Sequence, residues 1–179
     1  MDYYELFGIK ATPLADKIVV KKKYLELSRQ HHPDFADNSD SQSAETALDF
    51  SANINKAYKI LINPSLSIQY FLQYHQVIVE DEKYPLPNDF LMDMMDINEL
   101  LEEAKSANDQ QTVQEVKGKI EATEAELYNE VKEIVESKEA ANMDANNMEM
   151  LKAYYYKKKY IHRILDGISW THTFALPKR

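Results

Sequence analysis

The chain has no cysteine, which excludes disulfides, thiol nucleophiles, zinc ribbons and thiolate-held metal clusters as chemistry of its own side chains. Only 3 glycines and 6 prolines interrupt 179 residues, so turn-forming residues are scarce and long helices are expected. The glycines stand apart at 8, 118 and 167. They cannot form a phosphate-cradling loop, and the G-x-S-x-G elbow of a serine hydrolase is missing. No apolar run approaches the roughly 18 residues of a membrane-spanning helix. The opening MDYYELFGIK has neither the basic-then-apolar build of a secretory signal nor the Arg- and Ser-rich character of a transit peptide. A soluble, cytoplasmic protein of one domain or two small ones is the expectation.

What the chain does have is charge, unevenly spread. The formal net charge is -9, which argues against nucleic acid as a partner, because a phosphate backbone is repelled except where basic residues cluster. Residues 17–32 carry Lys17, Lys21, Lys22, Lys23 and Arg29 against Glu26 alone. Residues 80–139 hold 18 acidic residues against 6 lysines, and the last segment turns basic again with Lys152, Lys157, Lys158, Lys159 and Arg163. Such blocks point to different partners or to tight mutual packing.

Helical spacing organises most of the chain. Beyond Pro13 and Asp16, residues Val20, Tyr24, Leu27 and His31 recur on one helix face, and Pro33 closes that helix. The stretch DFADNSDSQS reads as a polar loop. From Ser43 a second helix places Ala47, Ser51, Ile54, Tyr58 and Leu61 on one face until Asn63-Pro64 interrupts it. A short helix follows, with Leu66, Tyr70 and Tyr74 on one side. QVIVEDEKYPLPN has two prolines and no helical period, which makes it a linker with at most a short extended piece at 77–79. Asn88 is the expected N-cap of a helix over NDFLMDMMDINELLEEA. Asn108 and Asp109 should start a long helix with Val113, Val116, Ile120, Leu127, Val131 and Ile134 at near-heptad spacing. The final helix has two candidate core stripes, Leu151, Tyr155, His162 and Leu165 or Met150, Tyr154, Ile161 and Ile168. Three such stripes bury one another as a bundle.

The stretch RQHHPDFAD concentrates the side chains that chemistry would need. His31, His32 and Asp34 are conceivable metal ligands, and a metal-dependent hydrolase centred on them is one reading. Consecutive residues at a helix end point in different directions, however, and the i, i+4 clamp is missing. The carboxylates between 93 and 103 lie on a polar helix face and are more often solvated than catalytic. No catalytic residue, metal or cofactor is therefore expected, and recognition is the better account.

His32-Pro33-Asp34 behind a lysine-rich helix resembles the J-domain, the module that engages ATPase chaperones of the heat-shock protein 70 family. DYYELFGI, KKKYLELSRQHHPD and SANINKAYKILINPSLSIQYFL extend that resemblance over residues 2 to 74. It implies that His32, Pro33 and Asp34, with Lys21, Lys22, Lys23 and Arg29, bind the chaperone and trigger its ATPase.

The second half narrows the family. NDFLMDMMDINELLEEA resembles a signature of the HscB type of J-domain co-chaperone, which serves iron–sulfur cluster assembly. By that resemblance Leu91, Met92, Met95, Asp96, Glu99 and Glu103 bind the cluster scaffold protein IscU. In KKYIHRIL, Tyr160 takes the place of an aromatic scaffold contact, with Tyr156 as the alternative. Asp96 stands where the family usually has Glu, and Asn98 replaces a common Arg. The four apolar positions between Leu91 and Met95 cannot all face inward, so part of them should form an exposed patch.

The expectation is an all-α, L-shaped molecule, with a J-domain at 1–75, a linker at 76–87 and a three-helix bundle at 88–179. Its partners would be a heat-shock protein 70 chaperone of HscA or DnaK type and IscU, with no nucleic acid and no membrane. A J-protein serving another client is the nearest rival. The lack of a tetracysteine module found in some eukaryotic relatives favours a bacterial-type form.

Overall fold

The computed structural model describes residues 2–31, 41–137 and 143–166, the side chains of 41–47 and 166 excepted. Among them every regular element is helical: α1 (Tyr3–Phe7), α2 (Lys17–Gln30), α3 (Ser41–Ile62), α4 (Pro64–Tyr74), α5 (Asn88–Ser106), α6 (Gln110–Val135) and α7 (Ala145–Asp166). The chain divides into two compact units, one of residues 1–80 with 134–148, the other of 81–133 with 149–179. No helix among the described residues is long and apolar enough to cross a membrane.

In the first unit, α1 is a single short element that the periodicity did not reveal. Asp2 caps it by accepting from the Tyr4 and Glu5 amides, and Gly8 closes it at φ 59°, a left-handed conformation that a residue without Cβ adopts at little cost. Asp16 caps α2 through the Ile18 and Val19 amides. α2 and α3 form an antiparallel pair: Tyr24 stacks on Tyr58 at 4.2 Å and donates its hydroxyl to Asn55, while His31 packs 4.3 Å from Phe50. Tyr4, Phe7, Val20, Ile54, Leu61, Ile68, Phe71 and Leu72 make the core. Each such large side chain contributes roughly 1.5–3 kcal/mol relative to exposure.

Several sequence expectations shift here. α3 starts at Ser41 rather than Ser43. Asn63-Pro64 both ends α3 and begins α4, since the Asn63 side chain accepts from the Ser65 and Leu66 amides and Pro64 occupies the first turn, where its missing N–H costs nothing. Residues 77–79 form no strand, although Ile78 is buried. Asn88 is the first helical residue of α5 rather than its N-cap; Pro87 takes the cap position without a side-chain bond.

In the second unit, α5 buries Met94, Leu101 and Ala104; α6 buries Val113, Val116, Ile120, Leu127 and Val131; α7 buries Leu151, Tyr154, Ile161 and Ile164. Asp109 caps α6 by accepting from the Gln111 and Thr112 amides. α6 and α7 are joined by Tyr128 against Tyr154 and by His162 Nε2 lying 3.2 Å from Glu124 Oε1. Phe90 of α5 meets Tyr160 of α7 edge-on at 6.0 Å. The stripe on α7 follows neither expected register: Leu151 comes from one, Tyr154 and Ile161 from the other. Of the remaining members, Tyr155, His162 and Leu165 are half-buried, Met150 is exposed, and Ile168 lies outside the described residues.

Candidate functional site

On α2 the buried stripe leaves the opposite face to solvent. Lys21, Lys22 and Arg29 are exposed there, and Lys23 is half-exposed with Nζ 3.3 Å from Glu26. The sequence reading missed two apolar members of this face, Ile18, 82% exposed, and Leu25. Positions 18, 21, 22, 25 and 29 fall within one arc of the helix, so the cations are interleaved with aliphatic anchors. The signal was available: once Val20, Tyr24 and Leu27 are placed inside, Ile18 and Leu25 cannot join them. His32, Pro33 and Asp34 lie outside the described residues. His31, once a candidate metal ligand, has its ring against Phe50. No group of three or more His, Asp or Glu side chains placed to hold a metal occurs among the described residues.

α5 sorts its methionines by direction. Met94 is 1% exposed, whereas Met92 and Met95 are 65% and 64% exposed. At about 100° per residue, Met92, Met95, Asp96, Glu99 and Glu103 share an arc of about 100°, and all five face solvent. Leu91 is half-buried at its flank. A strip of two adaptable thioethers beside three carboxylates therefore stands on a helix fixed from behind by Met94, Leu101 and Ala104. Exposed apolar side chains with charges alongside are chemically suited to contact another protein.

The aromatic candidates on α7 differ sharply. Tyr156 is 8% exposed. Its ring stacks on Tyr84 at 4.7 Å with planes 5° apart, and its hydroxyl donates to Glu82 Oε2 at 3.1 Å. Burial, then the Glu82 acceptor, pushes this phenol above its ordinary value, so it stays a neutral donor. Glu82 also accepts from Lys152 Nζ at 2.6 Å, and Tyr84 donates to Glu149. Residues 82–84 of the expected linker are thus fastened to α7. Tyr160 is half-exposed and lines a shallow depression with Met95, Asn98, Arg163 and Ile164. It borders the α5 strip; Tyr156 is committed to internal bonds.

Two surfaces are now defined, a cationic helix face preceding His32-Pro33-Asp34 and an acidic, methionine-bearing helix in the second unit. A DnaJ domain model matches residues 2–70, and a model described as the HSCB C-terminal oligomerisation domain matches residues 86–169. The chain belongs to the HscB-type J-domain co-chaperones. The co-chaperone protein HscB of Proteus mirabilis (strain HI4320) is 27% identical over 174 residues, which cover 93% of this chain and 99% of that one. The crystal structure of human co-chaperone protein HscB aligns with a TM-score of 0.78 at 26% identity, over 95% of this chain and 81% of that chain. Chaperone HscB from Vibrio cholerae shares the fold, with a TM-score of 0.61 at 23% identity over 94% of this chain and 99% of that chain. HscB-type proteins are the co-chaperones of iron–sulfur cluster assembly, the role that the sequence resemblance implied.

Proposed function

We propose that this HscB-type chain is an adaptor with two working ends and no reaction of its own. Its J-domain engages a heat-shock protein 70 chaperone of HscA or DnaK type and stimulates ATP hydrolysis there through His32, Pro33 and Asp34. Lys21, Lys22, Lys23 and Arg29 steer the encounter, with Ile18 and Leu25 as apolar anchors. Complementary charge of this kind raises association rate and fixes register, while exposed pairs add little to affinity, which suits a contact that must be broken each cycle. The α5 strip and Tyr160 hold the scaffold protein IscU and bring it to the chaperone as client. Tethering both partners to one chain makes the second encounter effectively intramolecular.

The observation that carries this reading is the outward turn of Met92 and Met95 beside Asp96, Glu99 and Glu103, on a helix whose inward side is already filled. Calorimetric titration of the full chain with IscU tests it. Met92→Ala and Glu99→Ala should each raise the dissociation constant by about tenfold, equivalent to about 1.4 kcal/mol. Wild-type affinity in both variants would remove IscU from α5, and chaperone stimulation without any IscU binding would assign the co-chaperone another client.

A further inference from the structure

The depression beside Tyr160 carries charge of the sign opposite to the strip it adjoins. Its walls are Met95 and Asn98 from α5 and Tyr160, Arg163 and Ile164 from α7, enclosing about 200 Å³. That is below the roughly 300–1,000 Å³ of small-molecule sites, and one side of it is apolar. Arg163 is exposed, its guanidinium carbon 5.7 Å from the Tyr160 ring centroid, and no carboxylate among the described residues pairs with it. A guanidinium over an aromatic face is attracted to it while its edge donors stay free for a planar acceptor. Asn98, exposed across the same depression, adds a neutral donor and acceptor. One helical face away, Asp96, Glu99 and Glu103 present only negative charge.

We propose that Arg163, with Tyr160 and Asn98, forms a cationic notch that receives a carboxylate side chain of the docked protein, seated beside an apolar residue that packs on Met95 and Ile164. The docking protein then carries basic residues opposite the α5 carboxylates and an acidic residue opposite the notch. Reversed docking would put like charges together at both ends, so the pair of opposite fields sets the orientation of the complex. The inference rests on the reading of α5 as the IscU surface and names the recognition chemistry at its edge.

The test is calorimetric titration of the full-length protein with IscU, using Arg163→Glu, Asn98→Lys and the double variant. Both substitutions are at exposed positions, and circular dichroism checks that helicity is retained in all three variants. Arg163→Glu should weaken binding by about tenfold or more, as loss of a buried charge-assisted contact does. Adding Asn98→Lys, which returns a cation to the same notch from the opposite wall, should restore most of the affinity. Unchanged binding by Arg163→Glu, or a loss that Asn98→Lys does not repair, overturns the notch while leaving the α5 surface standing. Failure of the wild-type chain to bind IscU overturns both. A fall in molar mass by light scattering on Arg163→Glu, with IscU affinity unchanged, would assign the notch to self-association and overturn the proposal.

Discussion

Two tyrosines one turn apart on α7 show how neighbours with the same chemistry acquire different work. Tyr156 is stacked on Tyr84 and hydrogen-bonded to Glu82; Tyr160 stands half-exposed at the edge of the α5 strip. Tyr156→Phe should therefore lower stability in urea by about 1 kcal/mol, the worth of one hydrogen bond, and leave IscU affinity unchanged. Tyr160→Ala should do the reverse, weakening IscU binding about tenfold as truncation of an aromatic interface contact can. Equal binding losses in the two variants would show that the bundle's integrity, not the aromatic surface, is being measured. Sequence resemblance led to the pair, but the choice between them depends on Glu82 and Tyr84, 74 and 72 positions earlier in the chain. No local pattern carries that information.

At the scale of elements, the starts of α2 and α6 were legible, and Asp16 and Asp109 hold them by accepting from first-turn amides. Asn63-Pro64 was legible only as an interruption, yet Asn63 also caps α4 with Pro64 in the first turn, and the Asp2 cap of α1 escaped the reading altogether. Asn63→Ala should cost about 1 kcal/mol in chemical unfolding, because two amides of α4 lose their acceptor. Helix faces were less legible when an element is covered on two sides. α7 packs Leu151, Tyr154, Ile161 and Ile164 into the bundle while Tyr156 and Lys152 hold residues 82–84, so neither of two clean stripes describes it. On α6 the heptad reading ends at Ile134, which is half-buried, whereas Val135 is buried; from residue 134 the helix groups with the first unit, so the repeat of the bundle no longer decides which side is covered. The α6–α7 contact also has a pH signature. The His162 imidazole, with Nε2 3.2 Å from the carboxylate, holds the Glu124 carboxyl below its ordinary value of 4.5 against the opposing effect of burial, helped by the charge of Lys158. A carboxylate depressed in the folded state stabilises fully above its unfolded pKa and loses that contribution as pH falls through the folded one. Thermal unfolding followed from pH 6 downward should show the wild type losing stability below about 4.5, with a shallower acid limb in Glu124→Gln.

For the whole molecule, division of labour is the central expectation. Asp34→Asn should abolish stimulation of the chaperone ATPase and leave IscU affinity at the wild-type value, whereas Met92→Ala should weaken IscU binding and leave basal stimulation intact. An ATPase assay without IscU, run beside the titrations, separates the two ends. Stimulation surviving at wild-type level in Asp34→Asn would remove His32-Pro33-Asp34 from the triggering role. Raising salt should slow association with the chaperone, since the exposed cations of α2 act over about a Debye length, roughly 8 Å at physiological ionic strength.

Periodicity, scarce turn residues and cap chemistry were enough to determine an all-helical chain, and the ordered motifs of its two halves were enough to identify the co-chaperone family. These are local properties: hydrophobic spacing dictates a helix wherever it falls, and a contiguous motif is read without folding. Tertiary structure decided which of three nearby methionines turn outward, which tyrosine is free, that Ile18 and Leu25 share the face of the α2 cations, and that Arg163 adjoins Asn98. Each of those depends on what lies behind or across from a helix, and burial is settled only when distant segments compete for the same face.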